Sequence, residues 1–94
     1  MKEIVLNGNK YELVKNIREG FDLEIVESKV TDYFSTFDYI VGDWAYNKLR
    51  LKGFYDSKNK NCKNFNNIDD LEKYLRDNCA YNCKYFILKK AVQK

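Results

Sequence analysis

Lys48, Arg50 and Lys52 occupy alternate positions between Tyr46 and Phe54. In a strand, side chains two residues apart share one face at a spacing of roughly 6.6–6.8 Å, so these cations form a row about 13 Å long. That spacing suits successive phosphates of a single nucleic-acid strand, whose neutralisation gives salt-dependent affinity. Tyr46 and Phe54 close the two ends of the row, where aromatic rings can stack bases for on the order of 1–3 kcal/mol each. Lys58, Lys60 and Lys63 follow in a polar loop and extend the same field. Together these eight residues nominate a face for RNA or a ribonucleoprotein. The plainer reading is a solvated strand whose charges prevent edge-to-edge pairing.

A second set of residues points to a protein partner. Trp44, the only tryptophan, lies close in sequence to Tyr46 and Tyr55. Trp and Tyr dominate binding hot spots, so the three nominate an anchor patch. Charge polarity along the chain would steer such a partner.

Other chemistry finds less support. Cys79 and Cys83 form a C-x₃-C pair with Cys62 as the third thiol, and histidine is absent. Structural zinc usually takes four Cys or His ligands, and the spacing differs from the C-x-x-C of thiol redox enzymes. Reduced, packed thiols are the expectation, with no metal and no cofactor assigned. Asp38 and Asp43 flank an apolar run and as a pair could hold magnesium or perform acid–base work. Each also has an ordinary place, at a strand start and in a turn. Neither a Ser/His/Asp set, a phosphate-cradling glycine loop nor a dinucleotide fingerprint is present, so a non-enzymatic protein is expected.

Composition sets the frame for these residues. Ninety-four residues make one domain with a real core and a stability of only a few kcal/mol. Aromatics reach 16%, which argues against disorder. Residues 1–44 carry a net charge of −4 and residues 45–94 a net +7, giving +3 in all. Such asymmetry marks a polyanion-facing surface, although fourteen of seventeen basic residues are Lys and eleven residues are Asn, a bias also expected of AT-rich coding. The segment MKEIVLNGNK lacks the apolar region of a signal peptide. No run approaches the roughly 18 apolar residues of a membrane span. A cytoplasmic protein with no membrane association is expected.

The elements that must position these residues follow from periodicity. Ile4–Leu6 and Tyr11–Val14 flank Asn7-Gly8-Asn9 and read as a hairpin. Asp22 is a helix N-cap, with Phe21 stapled to Val26. Apolar residues at 23, 26, 30, 33, 34 and 37 then predict one helical face, in which Tyr33, Phe34 and Phe37 pack. Tyr39-Ile40-Val41 reads as a strand buried on both faces and near the centre of the sheet. Gly42-Asp43-Trp44 reads as a turn, and 46–55 as a strand whose Leu49 and Leu51 face the core while Lys48, Arg50 and Lys52 face outward.

Residues 56–67 read as a mobile basic loop, Asn67 as the cap of a second helix, Tyr85–Leu88 as a last strand and 89–94 as a basic tail. The order β-β-α-β-β-α-β predicts an α+β fold, a mixed or antiparallel sheet of about five strands with two helices on one face.

Several of these segments also resemble a known family. Tyr11-Glu12-Leu13-Val14, Arg18-Glu19-Gly20-Phe21, Tyr39-Ile40-Val41-Gly42-Asp43-Trp44, Leu49-Arg50-Leu51-Lys52-Gly53-Phe54, and Cys79 and Cys83 ahead of Tyr85–Lys90 resemble the YutD-like family of small proteins from Gram-positive bacteria. The resemblance covers nearly the whole chain. It implies a cytoplasmic bacterial protein with an α+β domain and no catalytic residues to carry over. Ala45 and Asn82 stand where the family pattern has glycine. Asn tolerates the left-handed conformation, whereas Ala45 resists it.

Overall fold

The computed structural model describes residues 2–45, 48–63, 66–78 and 84–91. Asn7 and Gly8 both take positive φ, 50° and 80°, and close a two-residue turn between strands β1 (Lys2–Leu6) and β2 (Asn9–Ile17). Strands β3 (Tyr39–Ala45) and β4 (Lys48–Phe54) form a second hairpin, with Ala45 opposite Lys48. Strand β5 (Tyr85–Lys90) lies between the two hairpins and runs antiparallel to both β2 and β3. The sheet order is β1-β2-β5-β3-β4, antiparallel throughout. The fold is therefore α+β with five strands and two helices, in the chain order expected from the sequence.

Several boundaries differ from that expectation for identifiable reasons. Gly42-Asp43-Trp44 is strand, not turn. Gly42 lies opposite Phe86 on β5, and a Cβ on it would stand 2.2 Å from the Phe86 Cζ, so this glycine makes room for a ring. Ala45 ends β3, and it is not among the residues with positive φ. The middle strand is β5, with β3 beside it; both sides of β3 are hydrogen-bonded and Ile40 and Val41 are fully buried. Lys89 and Lys90 belong to β5 and not to a tail.

The helical stripe also breaks. Helix α1 covers only Leu23–Lys29, capped by Asp22, whose carboxylate accepts from the Ile25 N–H at 3.4 Å. Val30 is extended, with φ −80° and ψ 120°. The β-branched pair Val30-Thr31 carries poor helix propensity, and the chain resumes as a 3₁₀ turn at Asp32–Thr36. Asn67 caps as expected, accepting from the Asp69 N–H at 2.9 Å, but it caps a 3₁₀ turn (Ile68–Asp70) that leads into helix α2 (Leu71–Asn78).

The principal core lies on one face of the sheet, where Ile4, Leu6, Tyr11, Ile40, Leu49, Phe86 and Leu88 meet Val26 and Val30. Phe21 packs against this cluster with its ring edge-on to Phe86, centroids 5.2 Å apart. Helix α2 is not on this face. Tyr74 meets Phe54 edge-on at 5.5 Å, and Phe54 shares the parity of Lys52 and Arg50, opposite to that of Leu49. The two helices thus cover opposite faces, which supplies the second cover that fully buried Val41 requires.

Candidate functional site

The cationic row of β4 keeps its register, with Lys48 and Arg50 exposed and Lys52 half-buried. Lys48, Arg50 and Lys52 share one face, paired with Ala45, Asp43 and Val41 of β3. Asp43 is fully buried, and its Oδ2 accepts from the Arg50 guanidinium in a short ion pair. The Tyr74 phenol stands against the same carboxylate. Its pKa is raised first by burial and then by the charge of Asp43, with Arg50 opposing and a hydrogen bond to Asp43 adding to the rise. The Lys52 amine lies over two rings, 5.3 Å from the centroid of Phe54 and 5.7 Å from that of Tyr74. Phe54 is 1% exposed and cannot serve as a base-stacking platform. Its parity was legible in the sequence; that α2 would cover this end of the face was not.

Tyr46 lies outside the described residues, as do Cys79, Cys83 and Asn82. Lys58, Lys60 and Lys63 are exposed on the segment after β4. That segment is tied back by Asp38, whose Oδ2 accepts from the Asp56 N–H at 2.8 Å and the Asn59 amide at 2.9 Å. Buried Asn66 adds a bond from the Lys63 N–H at 2.7 Å. Asp38 and Asp43 are therefore each held by separate partners. Cys62 is half-buried, and its thiol pKa is raised first by burial and then by the carboxylates of Asp69, Asp56, Asp70 and Asp38.

The aromatic patch divides. Trp44 packs against the principal core, its Nε1 donating to the Gly20 carbonyl at 2.7 Å and the Lys84 amine 4.7 Å from its ring. Trp44 pairs with Leu49, whereas Tyr55 follows β4 at its other end. Six residues of strand, roughly 20 Å, separate the two positions.

What the sequence did not suggest is a cleft of about 470 Å³ along the outer edge of β4. One wall is aromatic, built from Tyr33 and Phe34 of the 3₁₀ turn, Phe37 just after it, and Tyr55. These rings contact one another at 4.8–5.4 Å through Tyr33–Phe34, Tyr33–Phe37 and Phe37–Tyr55. Tyr33 is 69% exposed. The other wall carries Tyr74 with Arg50 and Lys52, and Leu51 and Gly53 lie between. Gly53 admits the wall closely, since a Cβ there would come within 2.3 Å of the Phe37 ring.

The strand at this cleft is an edge strand, because among the described residues β3 is the one strand that pairs with β4. Which of its backbone groups point outward follows from neighbouring bonds. The Trp44 N–H donates to the Lys84 carbonyl at 3.0 Å and the Asp38 carbonyl accepts from Lys90 at 2.8 Å, so even-numbered residues of β3 point to β5. Odd-numbered ones then point to Lys48, Arg50, Lys52 and Phe54, leaving the groups of Leu49, Leu51 and Gly53 directed away from the sheet. Tyr55 continues the outward series, and its groups are taken: its N–H donates to the Asn66 carbonyl at 2.7 Å and its carbonyl accepts from Ile68 at 2.9 Å. Among the described residues, none bonds the outward groups of Leu49, Leu51 and Gly53.

Fold and cleft together define a small α+β domain, one antiparallel sheet with an open edge lined by aromatic and basic side chains. Residues 5–89 match the family model described as "Putative antitoxin YutD-like", and the chain belongs to this YutD-like family. It is 39% identical over 87 residues to the Bacillus subtilis (strain 168) protein named "Putative antitoxin YutD", covering 93% of this chain and 96% of that one. The solution NMR structure of protein yutD from B. subtilis superposes with a TM-score of 0.83 at 36% identity, over 99% of this chain and 84% of the other.

Proposed function

We infer that this chain is a non-enzymatic protein-binding module that holds its partner in the cleft along the outer edge of β4. The observation that carries this reading is the open backbone edge of Leu49, Leu51 and Gly53 set beside the exposed ring of Tyr33. An unpaired edge next to contiguous apolar surface is a ready-made docking feature. The antitoxin designation of the relatives is in keeping with a function exerted by binding another protein. The nucleic-acid alternative loses one of its two stacking platforms, because Phe54 is buried. The compartment proposed is the cytoplasm, where the free thiol of Cys62 stays reduced.

Photo-crosslinking in cells tests this. A benzophenone amino acid at Tyr33 is expected to capture a protein in a ribonuclease-insensitive adduct. The same probe at Val5, exposed on the opposite edge strand, captures none. Adducts that vanish with ribonuclease, or equal capture from both positions, would overturn the reading.

A further inference from the structure

Resting on that protein-binding reading, we propose that the partner enters the cleft as an extended acidic segment and adds to β4 as a sixth strand of the sheet, with alternate side chains apolar and acidic.

Three observations carry the proposal. First, the outward N–H and C=O groups of Leu49, Leu51 and Gly53 recur every second residue, a repeat of about 6.8 Å that an extended backbone matches group for group. Second, the chain already uses this edge. Tyr55, the next outward residue, pairs with the segment around Asn67 in a parallel bridge, so an added strand would be continuous with pairing that exists. Third, the two walls differ in chemistry. On the face shared by Leu49 and Leu51 stand Tyr33, Phe34 and Phe37. On the face shared by Lys48 and Lys52 stand the basic side chains. Side chains of an added strand alternate between these walls, so its odd positions meet rings and its even positions meet cations.

Charge selects the occupant. A second copy of this chain pairing antiparallel through β4 would set Lys48, Arg50 and Lys52 against their own counterparts, and like charges across strands are destabilising. A segment bearing Asp or Glu at alternate positions reverses that sign, and the exposed Lys48 adds a cation on the same face of β4, beyond the cleft.

The probes are synthetic ten-residue peptides: alternating Val/Glu, alternating Val/Lys, and a Val-block/Glu-block peptide of the first composition. The readout is amide hydrogen exchange and chemical shift of the isotope-labelled full chain. Val/Glu is expected to protect the Leu49, Leu51 and Gly53 amides, while the other two do not. Lys48→Glu/Lys52→Glu is expected to weaken Val/Glu binding about tenfold or more and to admit Val/Lys. Protection that grows with protein concentration and needs no peptide would identify a second copy as the occupant and overturn the proposal. Peptide-induced shifts at Tyr33 and Tyr74 without protection of the edge amides would overturn strand addition while leaving the protein-binding reading intact. If neither rings nor edge respond to Val/Glu, the acidic-segment proposal falls, whereas failure of the Tyr33 crosslink in cells is what removes the broader reading.

Discussion

Asp43 and Arg50 stand directly opposite each other on β3 and β4, the acid side chain 1% exposed and the base 45% exposed. Arg50 is thus the counter-ion of a carboxylate that has almost no water. Removing it strands a buried charge, which is the costly way to break such a pair. Arg50→Ala is expected to destabilise the fold by about 2 kcal/mol, below the ~3–5 kcal/mol of a wholly buried pair because the guanidinium is part-solvated. Asp43→Asn in the same background is expected to recover part of that loss. Urea denaturation of the two single variants and the double variant measures the coupling.

Gly42 faces the ring of Phe86, which is itself fully buried and cannot swing aside. Gly42→Ala is expected to cost about 1–3 kcal/mol through overpacking. Adding Phe86→Leu should give a double variant less destabilised than the sum of the single changes, read from chemical denaturation midpoints.

The Trp44 indole donates to the Gly20 carbonyl and fixes the loop after β2 to the β3 strand. Trp44→Phe keeps the ring and loses the donor, for an expected cost of about 1 kcal/mol. Circular dichroism follows this unfolding without depending on indole fluorescence.

Burial raises the phenol pKa of both Tyr11 and Tyr74, and the Asp43 carboxylate raises that of Tyr74 further. A raised pKa means that the folded chain keeps its proton where the unfolded chain has lost it. The associated stability is complete below the ordinary tyrosine value near 10 and is lost as pH climbs through the folded value. Denaturation midpoints are therefore expected to fall above pH ~10, less steeply in Tyr74→Phe. Phenolate absorbance should show late-titrating tyrosines only in the folded protein.

Cys62 holds its proton more tightly than an ordinary thiol, by burial and the surrounding carboxylates. In a Cys79→Ser/Cys83→Ser background it is expected to alkylate more slowly at mildly alkaline pH than in the urea-unfolded chain, the thiolate being the nucleophile. Asp69→Asn/Asp70→Asn should speed the folded-state reaction. An unchanged rate would remove those carboxylates as a cause.

Much of the fold was written in local signals. Asn7-Gly8 dictates its turn through backbone conformation alone, and Asp22 and Asn67 cap because their side chains reach nearby N–H groups. The alternation of Leu49 and Leu51 with Lys48, Arg50 and Lys52 placed each side chain on its proper face. What escaped is non-local. Gly42 reads as a turn until the Phe86 ring, 44 positions away, is found lying over it. Phe54 reads as exposed until Tyr74 covers it, and Arg50 reads as a free cation although its partner Asp43 lies only seven residues upstream. The cleft was illegible for the same reason: its aromatic wall reads as helix core until Val30-Thr31 interrupts the helix and turns Tyr33 outward.

The position of β5 bears on how this chain is made. Its two hairpins are local and can close early, yet they touch through a strand synthesised after both. Until Tyr85–Lys90 has left the ribosome, neither hairpin has its principal neighbour, and the edges of β2 and β3 stay open. Completion of the sheet is thus a single late insertion between two waiting halves. A nonsense codon between residues 55 and 85 would release a chain with both hairpins and no strand to join them, a product for proteolysis and not a weaker version of the protein.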